Sequence, residues 1–523
     1  MDTASDQSAL PLAPAAAPCA VQARPLVLAA TILASSMVFI DGTVANVALP
    51  ALQREFGASA AQLQWVIESY ALFLAALLLA GGSAGDRYGR RRVFLAGVLL
   101  FAAASVWCGL AAGIRQLIWA RALQGVGGAL LVPGSLALIS ASFPSDVRGK
   151  AIGTWSGYTA ITAAAGPAAG GFLIEHWSWR AAFLLNIPLA LAVLVLSLRY
   201  VPESRGARQA ALDWLGAALA SVALGALVFG LVQSSSFGWR DWRVAGSLLL
   251  AALATAAFLA QERRHPAPLL PLALFHSRDF AGANLLTLLL YAALGGSLYF
   301  LPLNLIQVQA YSAAQAGAAL LPFILTLFLL SRWTGSLADR YGARKPLIIG
   351  PALAALGFAL YALPAVGQSY WASFFPASLV LGLGMAISVA PLTTTVMNAQ
   401  GSANAGVASG INNAVSRIAA LLAIALFGIV MSLAFRHALA DLDAKVAPAL
   451  SREVLAHWDK LAGIEMPAAA NREEQAAIRA GIGNAFVHGF RCVMLLAAAL
   501  ALAASYSAWR FIGRAGSHNH RVQ

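Results

Sequence analysis

Long apolar runs, broken by short clusters of charge, glycine and proline, dominate this chain. Fourteen can be placed, at 26–50, 60–82, 93–113, 116–139, 150–173, 181–199, 212–233, 244–260, 280–304, 314–337, 346–365, 371–396, 405–433 and 485–508. Each is close to the ~20 residues a helix needs to cross a bilayer's hydrocarbon core. The breaks read DRYGRRR, FPSDVRGK, PESRGAR, QERRHPAP and DRYGARK. Helices satisfy their own backbone inside lipid, so the expected fold class is an all-α polytopic membrane protein. Many runs are rich in Gly and Ala, which permits close helix packing there. An even number of crossings puts both termini on one side.

Composition narrows the alternatives. Of 523 residues, 60% are hydrophobic, and charge is confined to 34 Lys+Arg and 21 Asp+Glu. A soluble chain of this length carries roughly 130 charged residues, and a disordered one has the opposite composition. The net charge of +13 is spread in small clusters between apolar runs, not along one face as nucleic-acid binding requires. With the N-terminus inside, the inner tails and loops hold 19 Lys and Arg and the outer ones 11. The positive-inside rule then makes both termini cytoplasmic in an inner (plasma) membrane. Trp177, Trp179, Trp239, Trp242 and Trp371 fall at outer helix ends, as an interfacial belt does. Residues 1–25 lack the basic start of a signal peptide and read as a disordered cytoplasmic tail. Cys19, Cys108 and Cys492 lie far apart and form no metal-binding pattern, so no metal is expected.

An internal repeat supplies the organisation. Gly82-Ser-Ala-Gly-Asp86-Arg87-Tyr-Gly89-Arg90 returns 253 residues later as Gly335-Ser-Leu-Ala-Asp339-Arg340-Tyr-Gly342-Ala. Both copies follow an inward-running helix, so two parallel six-helix halves are expected, with a site between them. The expected units are a bundle at 26–200, an inserted helix pair with its loops at 201–279, a second bundle at 280–508 that includes an outer loop at 434–484, and a cytoplasmic tail at 509–523.

Charge inside the membrane costs at least about 2.5–3.5 kcal/mol per residue and marks candidate function. Asp41 lies about 13 Å from the outer end of its run, Glu68 about 12 Å and Arg121 about 9 Å, at 1.5 Å per residue. Three charges at similar depth in one bundle suit proton coupling, with Asp41 and Glu68 holding one proton between them and Arg121 setting its affinity. A static ion pair that only orients helices is the alternative. Arg417 is the comparable charge of the second half. Asn284 and Tyr291, two turns apart, are candidate cavity residues there, or simply helix–helix hydrogen bonds.

These motifs, in order from Leu26 to Ala508, resemble the 14-helix drug/proton antiporters of the major facilitator superfamily, the EmrB/QacA type. The loop motif matches G-x-L-a-D-R-x-G-R-R, with Ala84 in place of leucine. The resemblance implies that Gly82, Asp86, Arg87, Gly89 and Arg90, with Asp339, Arg340 and Gly342, form a cytoplasmic latch between halves. Asp41 to Pro50, including Asn46, is similar to D-x-T-I-V-N-V-A-L-P, and Arg121-Ala-Leu-Gln124-Gly-Val-Gly is similar to R-x-x-Q-G-x-G, whose arginine is implicated in proton transfer. Gly166, Pro167, Gly170 and Gly171 match the antiporter pattern G-P-x-x-G-G, with Thr162 where a glycine is usual. Trp179, Arg180, Phe183, Asn186 and Pro188 match W-R-x-x-F-x-x-N-x-P, and Asp213, Trp214 and Gly216 match D-W-x-G. Gln124 and Asn46 join the cavity candidates. The resemblance implies a secondary transporter driven by the proton gradient, with no cofactor and no enzymatic activity, exporting small amphipathic compounds. The absence of an acid in 314–337 turns the expectation from bulky cations toward neutral or weakly acidic substrates. A proton-coupled uptake symporter on the same fold is the alternative, and a non-transporting sensor or enzyme a distant one. In the loop 434–484, Leu439, Leu442, Val446, Leu450, Val454, Trp458 and Leu461 recur near helical spacing. An amphipathic helix is expected, capping its own bundle or docking a periplasmic adaptor.

Overall fold

Helices begin where the sequence supplies caps. Ser59 with Gln62, Ser312 with Gln315 and Asn471 with Glu474 form reciprocal capping boxes, each satisfying otherwise orphaned backbone donors. The computed structural model describes residues 21–513 apart from 206–212, 267, 400, 441 and 443–445, and among these it is helical with no strand. The first half comprises α1 (Arg24–Phe56), α2 (Ala60–Tyr88), α3 (Arg90–Gly109), α4 (Ile114–Ser142), α5 (Ser145–His176), α6 (Trp179–Leu184) and α7 (Asn186–Tyr200). A hairpin follows, α8 (Trp214–Phe237) and α9 (Trp242–Arg264). The second half comprises α10 (Arg278–Leu303), α11 (Ala313–Ala318), α12 (Leu321–Tyr341), α13 (Arg344–Tyr361), α14 (Phe374–Asn398), α15 (Gly401–Leu439), α16 (Pro448–Ala456) and α17 (Arg472–Phe511).

Among the described residues twelve helical stretches, rather than fourteen, are long and apolar enough to cross a membrane by length and composition. The two remaining long helices explain the difference. The 32 residues of α5 are rich in Gly, Ser and Thr, and the 18 of α13 begin with Arg344 and Lys345. Several boundaries also move. The run at 181–199 is broken at Leu185, and that at 314–337 is divided between α11 and α12. The helix of the first run already begins at Arg24, and the last continues to Phe511. The apolar stripe of the 434–484 loop is no single helix. Leu439 ends α15, Leu450 and Val454 lie on the nine-residue α16, and Leu461 sits in a 3-10 turn at Trp458–Gly463. Leu450, Val454, Leu461 and Ile464 are all buried in a core cluster to which both halves contribute, so this segment is a cap.

The end bearing Arg24 of α1 and Phe511 of α17 is called proximal here, and the opposite one distal. Gly89 has φ +112° and Gly342 φ +74°, a region that disfavours side chains. The two copies of the loop motif thus build the same kind of turn. The hairpin packs on both halves: Val228 and Val232 of α8 share a cluster with Ala61 and Leu72 of α2 and with Leu421 and Ala425 of α15. Its other face, with Leu249, Leu250 and Leu253, is apolar and uncovered, as a lipid-facing surface is.

Candidate functional site

Glycines on α4 bring the polar residues together. A Cβ at Gly125 would overlap the Tyr70 carbonyl on α2, and one at Gly127 would come within 2.7 Å of the Phe101 backbone on α3. With hydrogens in those places, α4 lies against both helices and presents Arg121 and Gln124 to α1. Arg121 is fully buried and its Nη1 donates to Asp41 Oδ2. Gln124 Nε2 and Asn186 Nδ2 donate to Asp41 Oδ1 at 2.8 and 3.2 Å. Arg121 also donates to Gln124 Oε1 at 2.7 Å and to the Val66 carbonyl at 3.1 Å. Ser105 accepts from both amides, at 2.9 Å from Gln124 and 3.2 Å from Asn186. The Tyr70 ring closes the other side, 4.2 Å from the guanidinium carbon, a favourable placement for a cation over a π face.

This arrangement holds a buried carboxylate with three donors while leaving Arg121 Nη2 without a partner. A proton arriving on Asp41 would remove the anion that Arg121 answers, so protonation and side-chain rearrangement are linked. Asn186 and Ser105 were missed as site residues by sequence reasoning. Asn186 had a signal, the asparagine of W-R-x-x-F-x-x-N-x-P; Ser105 had none.

Glu68 does not join this network. It is fully buried, with neither carboxylate oxygen hydrogen-bonded, and it lies within electrostatic reach of Tyr299 on α10. A proton shared directly between Asp41 and Glu68 is therefore not the geometry found: the side chain turns toward the second half. Asn46 donates to the Gly42 carbonyl at 3.4 Å, outside the network. Asn284 accepts from Asn412 of α15 at 3.2 Å, and Thr287 does so at 2.6 Å, which ties α10 to α15. Tyr291 is half-buried against the second-half core, and Arg417 is half-buried on α15.

At the proximal end Arg90 Nε meets Asp86 Oδ1 at 2.8 Å, so this pair closes the turn between α2 and α3 within the first half. Glu203, unremarked in the sequence, accepts the Arg91 and Arg92 backbone amides at 3.0 and 3.2 Å, where a carboxylate suits a helix N-terminus. Gly82 approaches Pro133 of α4, and Arg87 is exposed beside Tyr88. The side chains of Asp339 and Arg340 lie outside the described residues.

The distal end is closed. A Cβ on Gly166 or Gly170 would strike Thr43 or Val44, so this face packs on α1. Gly171 meets the Ala313 backbone and Gly317 the Pro167 carbonyl, joining α5 to α11 across the halves. Gln53 Nε2 donates to the Lys460 carbonyl at 2.9 Å and its Oε1 accepts from Gln307 at 2.7 Å. Gln64 donates to the Ile424 carbonyl at 3.2 Å. The space left among Gln53, Gln64, Tyr299, Gln307 and Leu461 is about 10 Å³, room for no more than one water. Replacing Gln53 with Ala is expected to loosen this seal. Labelling of Ser432→Cys in a cysteine-free background by a membrane-impermeant maleimide should rise roughly thirtyfold, as two hydrogen bonds of ~1 kcal/mol each are lost; unchanged labelling would show that Gln53 does not hold the end shut.

The family model for the Major Facilitator Superfamily matches residues 31–424. The chain belongs to the major facilitator superfamily. Among its relatives in that superfamily, multidrug resistance protein Stp of Mycobacterium tuberculosis (strain CDC 1551 / Oshkosh) is 34% identical over 503 residues, covering 94% of this chain and 92% of Stp. The tetracenomycin C resistance and export protein of Streptomyces glaucescens is 35% identical over 399 residues, covering 76% and 74%. Among solved structures, an inward-facing, unoccupied bacterial homologue of the human lysosomal transporter Spinster aligns with TM-score 0.64 at 18% identity, over 95% of this chain and all of that one. That likeness establishes the superfamily fold. A transporter of this superfamily, with several membrane-spanning helices, is thus the frame for the buried Asp41 site.

Proposed function

We propose that this chain exports small amphipathic compounds in exchange for protons by alternating access, from an inner (plasma) membrane with the proximal end and both termini cytoplasmic. The observation that carries the proposal is Asp41, sealed at membrane depth and held by Arg121, Gln124 and Asn186. A site of this kind can trade a proton for a change of side-chain partners. Two relatives are named for multidrug resistance and for tetracenomycin C resistance and export, which favours outward transport of foreign or toxic compounds. Counting α5 and α13, whose lengths allow crossing, the chain traverses the membrane fourteen times. No cofactor is invoked, since the proton gradient supplies the drive. One charge crossing 100 mV releases about 2.3 kcal/mol, enough for roughly fortyfold accumulation of a neutral substrate. The cap at 448–464 spends its apolar residues on the chain's own helices, which favours a lid over an adaptor dock.

The test is transport in vesicles of the purified chain with an imposed pH gradient. Compound moving against the direction of proton flow supports export by antiport. Movement with the protons would mean uptake by symport, and no movement of any amphipathic compound in a broad panel would refute transport of this class.

A further inference from the structure

Among the described intramembrane residues Arg417 is a cation with no acid against it. Asp41 is engaged by Arg121 and two amides, and neither Glu68 oxygen has a partner, so Glu68 does not reach Arg417. From Phe280 to Ala434 the sole acid is Asp339, near the proximal end of α12. Arg417 Nε is buried without a hydrogen bond. The residue lies far from both ends of α15, about 24 Å from Gly401 and about 33 Å from Leu439 at 1.5 Å per residue. Part of its surface is nevertheless open. It faces the first half, within electrostatic reach of Tyr70, the ring that covers Arg121. On its own helix, Asn413 one turn earlier is exposed, adding a second polar group on that side.

A guanidinium does not shed its proton in proteins, so burial cannot neutralise Arg417 and its charge needs an external answer. Five N–H donors in a planar fork match a carboxylate bidentately. We infer that Arg417 recognises an acidic group on the transported compound, so that the carrier prefers amphipathic carboxylates to neutral molecules of the same shape. This rests on the export proposed above and names its substrate class. The second half then selects the substrate's charge, while the Asp41 site in the first half handles the proton.

The test compares matched acids and amides at neutral pH: naphthoate with naphthamide, and biphenylcarboxylate with biphenylcarboxamide. Binding to the purified full-length chain is measured by equilibrium dialysis. The acid of each pair is expected to bind about ten- to a hundredfold more tightly, the scale of a charge-assisted pair. Arg417→Gln should erase that preference by weakening the acid far more than the amide, and Arg417→Lys should keep much of it. Equal binding of acid and amide by the unaltered protein in both pairs would overturn the inference, as would an Arg417→Gln variant that still prefers the acid. Transport in vesicles is scored separately. An acid preference that depends on Arg417, without movement driven by a pH gradient, would uphold the recognition site and refute proton-driven export.

Discussion

Asp41→Asn is expected to abolish proton-driven export while sparing exchange of compound across the membrane without a gradient. Asparagine keeps the shape and one acceptor but carries no titrating proton, so Arg121, Gln124 and Asn186 lose the group whose charge they share. Breaking a buried ion pair by removing one partner costs about 3–5 kcal/mol of stability, and the loss of the titrating proton removes the coupled step itself. Gradient-driven efflux should therefore fall to background, and the melting temperature should fall with it. The paired variant Asp41→Asn with Arg121→Gln separates the two effects. Removing both charges should restore stability without restoring coupling. Efflux that stays gradient-driven in Asp41→Asn would remove Asp41 from the proton path and leave the pair as a strut between helices.

What the sequence made legible, and what it did not, follows from how each signal arises. The helical membrane class is written in apolar runs, and the loop repeat is written in Gly89 and Gly342, whose positive φ values side chains resist. The count of crossings was harder, because α5 trades hydropathy for the small residues that let it touch α1 and α11. At the site, depth along each run brought Asp41 and Arg121 to the same level, and the structure joins them. Depth also grouped Glu68 with them, but depth carries no azimuth. Gln64 and Leu72, flanking Glu68 on α2, face α15, and Glu68 follows them to the interface. Ser105 was invisible because a serine in an apolar helix is more often bonded to its own preceding turn. It does make that bond, to the Phe101 carbonyl at 2.8 Å, besides accepting from two amides.

The second large effect is expected at the seam between halves. Gly171→Leu or Gly317→Leu would drive a branched side chain into the backbone of the facing helix, at Ala313 or at Pro167. Backbone cannot move aside as the tip of a side chain does, and overpacking of a tight contact costs typically about 1–3 kcal/mol. That cost falls only on the distally closed state, so it shifts the balance of states by roughly five- to 150-fold. Transport should drop by a similar factor, with folding preserved and with distal cysteine probes such as Ser432→Cys labelled faster. Gly171→Ala should show a smaller effect in the same direction. A leucine variant that cycles at the normal rate would mean that these helices need not meet during turnover.

The hairpin of α8 and α9 leans on α2 and α15 together, across one of the two seams along which the halves meet. The other seam, where α5 meets α11, has no such cover among the described contacts. A parting of the halves must then either strip Val228 and Val232 from one of their supports or turn about that line. The second is the less costly course. The chain would swing like a book bound along one spine, with its fore-edge at α5 and α11, and a compound dissolved in the membrane would find the pages open on that side only.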